Sequence, residues 1–231
     1  MEPFETSYPR SAEQVIIAQN TLLRQVYAWM GLGLLLTAAM SVVTLSSPAL
    51  LELVFGNRLV FYGLILGELG LVIAVSAAIN RLSAATATAL FLLYAALNGI
   101  TFSVIFVVYT AESIASTFVV TAATFGAMSI YGYTTRRDLT NWGSFLFMGL
   151  IGIVIASVVN IFVESSAASW VISAIGVIVF TGLTAYDTWK IKAMAAAGAQ
   201  GRKPAILGAL TLYLDFINLF LMLLRLFGNR R

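Results

Sequence analysis

Three acidic side chains lie inside long apolar runs: Glu68 in Gly-Leu-Ile-Leu-Gly-Glu-Leu-Gly, Asp187 in Thr-Ala-Tyr-Asp-Thr-Trp-Lys and Asp215 in Leu-Tyr-Leu-Asp-Phe-Ile-Asn-Leu-Phe. An ionisable residue at the centre of a membrane helix costs roughly 2.5–3.5 kcal/mol on insertion scales, so it normally faces the bundle interior with a partner or a role. Asp215 lies about 11 residues, or roughly 16 Å of helix, beyond Pro204, and Asn218 three residues later shares its face. The plainer reading of Asp215 is a neutral carboxyl hydrogen-bonded between helices. Asp187 ends its run beside Lys190, where a solvated acid or an i,i+3 ion pair is the plainer reading. If the two helices bring Asp187 and Asp215 together, the carboxylates cannot readily both ionise and the pair can share a proton, which makes it a candidate pH sensor. The same oxygens suit a hard cation such as calcium, so the two are also the candidate metal ligands. Glu68 is flanked by Gly67 and Gly70, with Gly63 further back; close helix packing accounts for the glycines but not for the acid. Arg81, just past that run, either snorkels back toward an acidic site or serves as an orientation charge, the second being the simpler role.

The elements that must position these residues are membrane spans. In 231 residues only 10% are charged and 60% are hydrophobic, too few charges to clothe a soluble domain. Seven runs reach the length of about 20 apolar residues that crosses a bilayer. They are Gln25 to Leu45, Leu59 to Ile79, Ala84 to Tyr109, Ser113 to Thr135, Trp142 to Val163, Ala168 to Tyr186 and Pro204 to Leu224. Each is about twice the length of a barrel strand and lacks alternation, so they are helices. The expected fold is an all-α integral membrane bundle of seven transmembrane helices. Residues 1–24 form a cytoplasmic N-terminal segment and 25–231 the membrane domain. Within the first segment Val15, Ile16, Leu22, Leu23 and Val26 form either an apolar stripe on the membrane surface or part of a frayed tail.

With the N-terminus inside, Arg10, Arg24, Arg81, Arg136, Arg137, Lys190, Lys192, Arg202 and Lys203 are cytoplasmic, whereas Glu52, Glu112 and Glu164 face out with only Arg58. The positive-inside rule therefore selects this orientation for the first six spans. The end conflicts with it: a complete seventh span puts Arg225, Arg230 and Arg231 outside, and a re-entrant one returns them. Pro204 to Leu224 is long enough to cross, which favours the complete span. Connections are short, and the longest, Thr188 to Lys203, reads as flexible. The absence of cysteine and histidine excludes disulfides, thiolate metal sites and the usual general base. No cofactor is expected beyond calcium as a bound or transported ion. The net charge of +3 comes from basic helix ends, so the expected partners are the lipid bilayer and calcium or other cations, with no nucleic acid. No protein partner is legible.

Three stretches resemble the Bax inhibitor-1 family, the Bax inhibitor motif-containing transmembrane proteins, in particular its bacterial inner-membrane members: 106–129, Gly182-Leu-Thr-Ala-Tyr-Asp-Thr-Trp-Lys-Ile-Lys and Gly208-Ala-Leu-Thr-Leu-Tyr-Leu-Asp-Phe-Ile-Asn-Leu-Phe-Leu-Met-Leu-Leu-Arg. The resemblance implies a seven-helix bundle with the C-terminal helix central and a pH-sensitive calcium leak. It pairs Asp187 with Asp215, which spacing alone does not, and matches Glu68 to the family's acid in the second helix. Arg81 corresponds only approximately to a basic latch, because its spacing differs by a residue or two. Suppression of cell death belongs to eukaryotic relatives and is not carried over. A non-transporting membrane interaction or stress-regulatory protein is the alternative. An intramembrane aspartyl protease, whose two carboxylates activate water, fits less well. Leu212-Tyr213-Leu214 stands where such proteases carry Gly-x-Gly before the second acid, and Pro48-Ala49-Leu50 falls in the first loop rather than late in the chain. An enzyme is therefore not expected.

Overall fold

In the computed structural model, residues 11–231 are described and form eight helices without a named strand. They are α1 (Ala12–Leu45), α2 (Pro48–Phe55), α3 (Arg58–Ala78), α4 (Ala84–Val108), α5 (Ala111–Thr134), α6 (Thr140–Val163), α7 (Ser166–Ala196) and α8 (Arg202–Phe227). All except α2 are long and apolar enough to cross a membrane. Side-chain caps begin most of them: Ser11 closes a capping box with Gln14, and Ser47, Asn57, Ser83, Thr110 and Ser165 each accept from a first-turn amide. Asp138 precedes α6 and accepts from the Thr140 amide at 2.8 Å and its hydroxyl at 2.6 Å. These bonds hold its carboxyl below the ordinary carboxylate range.

The bundle carries its apolar bulk outward and much of its small polar complement inward. Leu59 and Phe162 are more than four-fifths exposed, whereas Thr37, Ser41, Thr44, Thr121, Thr184 and Thr188 are buried. That distribution suits lipid as the surrounding solvent. In the most apolar stretch of α8, 72% of residues are buried, against 6% in α3. Helix α8 packs against α1, α3, α4, α5 and α7. Gly99 of α4 lets that helix lie against Thr37 and Met40 of α1, and Gly132 of α5 does the same against Ala185 of α7.

Five expectations need correction. Helix α1 starts at Ala12, so the boundary between residues 24 and 25 falls within one continuous helix of about 51 Å. Leu22, Leu23 and Val26 are core residues, not a membrane-surface stripe, because α4, α7 and α8 pack on that helix. Arg10 and the other residues before Ser11 lie outside the described residues. Helix α2 occupies what reads as a loop, with Pro48 in its first turn. Helix α7 does not end at Tyr186 but continues through the alanine-rich run to Ala196, leaving only 197–201 as connection; Gly198 and Gly201, at φ 104° and 87°, make the turn. Finally, a Cβ on Gly63, Gly67 or Gly70 would meet nothing within 4 Å, so these glycines do not serve close packing within the chain.

The last helix traverses the bundle completely. Starts of α1 and ends of α5 and α7 share one end, tied by Tyr133 Oη donating to Asn20 Oδ1 at 2.6 Å and by Lys192 Nζ donating to the Tyr133 and Thr135 carbonyls. Helix α8 starts at that end. Its tail reaches the opposite one, where the Thr110 amide donates to the Asn229 carbonyl and the Arg231 amide to the Val108 carbonyl, at the α4–α5 turn.

Candidate functional site

The extension of α7 beyond Tyr186 places Asp187 within the helix, more than two turns before its end, opposite the middle of α8. Asp187 and Asp215 are 8% and 4% exposed, and their carboxyl groups lie within hydrogen-bonding reach of each other. Oδ2 of Asp215 is buried without a hydrogen-bond partner among the described residues. Two carboxyl groups this close can hydrogen-bond only when one of them carries a proton.

The pair borders a cavity of about 460 Å³ between α6, α7 and α8, lined also by Asn218, Thr211, Tyr186 and Lys190. Asn218 shares the cavity with Asp215 as the three-residue spacing requires, and its Nδ2 donates to the Leu214 carbonyl at 2.8 Å. Lys190 is exposed at the cavity rim, its ammonium 5.8 Å from the Tyr186 ring centroid. Tyr186 lies over the start of α6 because Gly143 leaves it room: a Cβ there would come 2.6 Å from the phenolic oxygen. Thr188 ties this part of α7 to α1, its hydroxyl 3.3 Å from that of Tyr27.

Glu68 and Arg81 are not part of this cavity. Glu68, half-buried in α3, accepts from Thr101 Oγ1 of α4 at 2.8 Å. Arg81 lies exposed in the α3–α4 turn, and among the described residues no hydrogen bond or ion pair joins it to either aspartate. Nor do three or more His, Cys, Asp or Glu residues gather as a metal site among the described residues. The two aspartates are thus two carboxylates without a third.

A second polar cluster, absent from the sequence reading, lies near Glu68 and is joined to it through Thr101 of α4. Thr37 Oγ1 lies 2.6 Å from the Tyr213 hydroxyl and 2.8 Å from the Ala95 carbonyl, while Asn98 Nδ2 donates to Tyr94 Oη at 2.8 Å. Asn98 Oδ1 is buried without a partner among the described residues. Its sequence signal is present in retrospect: Thr37, Ser41 and Thr44 on α1, and Tyr94, Asn98 and Thr101 on α4, both step by four and then three residues, one face of a helix. Tyr213 and Asp215 are separated by about 200° around α8, so one helix presents the tyrosine to this cluster and the aspartate to α7.

Relatives match nearly the whole length of this chain. The chain is 58% identical over 231 residues to the Inner membrane protein YbhL of Escherichia coli, covering 97% of this chain and 99% of that protein. It is 48% identical over 223 residues to an uncharacterized protein of Borreliella burgdorferi, covering 95% and 96%. An uncharacterized membrane protein of Streptococcus pyogenes is 40% identical over 217 residues, covering 92% and 94%. The family model described as Inhibitor of apoptosis-promoting Bax1 matches residues 19–231, which takes in α1 from Gln19 onward, all of α2 to α8 and both aspartates. The chain therefore belongs to the Bax inhibitor family.

Proposed function

We propose that the chain is a pH-sensitive calcium or cation leak of a bacterial inner membrane, with Asp187 and Asp215 as its proton sensor. The observation that carries this reading is the burial of both carboxyl groups against each other beside a cavity within the spans. A shared proton ties α7 to α8. Its loss leaves two charges that separate or capture a cation. Calcium takes six to eight oxygen ligands in a tight site, so a pair of carboxylates without a third holds it weakly, as passage requires. Asn218 adds a polar group along the route, and Glu68 a separate polar station across α8.

The same reading sets the orientation. Arg24, Arg81, Arg136, Arg137, Lys190, Lys192, Arg202 and Lys203 belong to the end where α1 starts, and the positive-inside rule makes that end cytoplasmic. The C-terminus is then outside. Proteolysis is not proposed, because the chain lacks the Gly-x-Gly motif before Asp215. Purified protein in calcium-free liposomes should admit calcium at a rate that varies across a pH series. Absence of flux at every pH would favour a non-transporting interaction protein, and reproducible cleavage of a transmembrane peptide, lost in Asp215→Ala, would favour the protease.

A further inference from the structure

Helices α1 and α5 run beside each other without close packing, and a groove of about 1250 Å³ lies between them, away from the aspartates. The hydrogen bond from Tyr133 to Asn20 bridges its polar end. Arg24 lines that end, and about two turns deeper along α5 the wall is Phe125 and Gly126. A Cβ on Gly126 would meet nothing within 4 Å, so its small size leaves open space instead of admitting a neighbouring helix. Ser129 lies between the two ends. It lines the groove and is 7% exposed, and its hydroxyl oxygen is buried without a hydrogen-bond partner among the described residues.

We infer that this groove is a binding site for an anionic phospholipid, which enters laterally from the membrane. The three walls match three parts of one such molecule. The Arg24 guanidinium takes the phosphodiester by charge-assisted hydrogen bonds, the Ser129 hydroxyl donates to an ester carbonyl, and an acyl chain lies over Phe125 and Gly126. A buried hydroxyl without a partner is costly, so a ligand carbonyl at Ser129 supplies what the chain itself leaves out. The cation end coincides with the end of the bundle rich in basic residues, where an anionic headgroup sits when the acyl chain points toward the membrane centre.

Native mass spectrometry of the full chain in detergent, with phosphatidylglycerol or phosphatidylcholine added at equal concentration, tests the assignment. Wild-type protein should retain phosphatidylglycerol preferentially. Arg24→Gln should reduce that preference about fivefold, the effect of one basic residue near a charged lipid surface, and Arg24→Lys should keep most of it. Ser129→Ala should weaken both lipids alike, and Gly126→Leu should displace both. Equal retention of the two lipids by wild type, or wild-type retention by Gly126→Leu in folded monodisperse protein, would overturn the proposal. So would a dimer that Gly126→Leu dissociates, because a second copy would then be the occupant. The readout does not involve ion flux, so it stands or falls separately from the proposed leak.

Discussion

The hydroxyl of Tyr213 on α8 lies 2.6 Å from that of Thr37 on α1, on the side of α8 turned away from Asp215. Thr37 is also within reach of the Gly33 and Ala95 carbonyls, which can only accept. Thr37 therefore donates to a carbonyl, and Tyr213 donates to Thr37. Tyr213→Phe removes one net bond and should cost about 1 kcal/mol. Thr37→Val strands the buried tyrosine hydroxyl and should cost about 1–3 kcal/mol. The double variant should be no less stable than Thr37→Val, since the phenylalanine has nothing left to satisfy. Thermal midpoints in one detergent check the order, and additive losses would refute the assigned donor.

The glycines separate into two kinds. At Gly132 a Cβ would press on the Ala185 backbone, so Gly132→Ala must push α5 from α7 at a cost of about 1–3 kcal/mol. At Gly67 a Cβ meets only open space, and Gly67→Ala should instead stabilise α3 by about 0.5–1 kcal/mol. The same thermal measurement distinguishes them. Equal effects would mean that packing does not decide which glycine is needed.

Seven spans were legible because hydropathy and length suffice when lipid is the solvent, and the ends of α3, α4, α5 and α6 lie within two residues of those read from the chain. What escaped depended on tertiary packing. Leu22 and Leu23 read as surface-seeking because nothing in one helix tells that other helices will cover them. Ala193 to Ala197 read as a flexible linker, although alanine has the highest intrinsic helix propensity and only the glycines after it break the helix. That misreading also put Asp187 at a boundary. Asp187 and Asp215 stand out by their cost in lipid, but spacing does not pair them: the motif resemblance implies the pair, and the continuation of α7 past Tyr186 brings the two side chains into reach.

The chain has no cysteine, so single introduced ones report topology without background. Gly198 holds φ at 104° and tolerates substitution poorly; Gln200 is the better site in the α7–α8 connection. Gln200→Cys should react with an impermeant maleimide only after the inner face is exposed, and Arg231→Cys should react in intact cells. Labelling of both from the same side would contradict the complete crossing of α8.

Asp138 offers a pH test outside the spans. The Thr140 amide and hydroxyl lower its folded-state pKa, so its stabilising contribution is complete above the unfolded value and fades as pH falls through the lowered folded value. Asp138→Asn should therefore lower the thermal midpoint slightly near neutral pH, and the gap should close in strong acid. A gap that widens on acidification would reverse the sign.

The measurement closest to the central claim is the pH dependence of calcium entry into liposomes for wild type, Asp187→Asn, Asp215→Asn and the double variant. Either amide removes the one-proton carboxyl pair, so each single variant should flatten the profile and the double variant should add little. Folded single variants that both keep the wild-type profile would contradict the claim that Asp187 and Asp215 form the sensor.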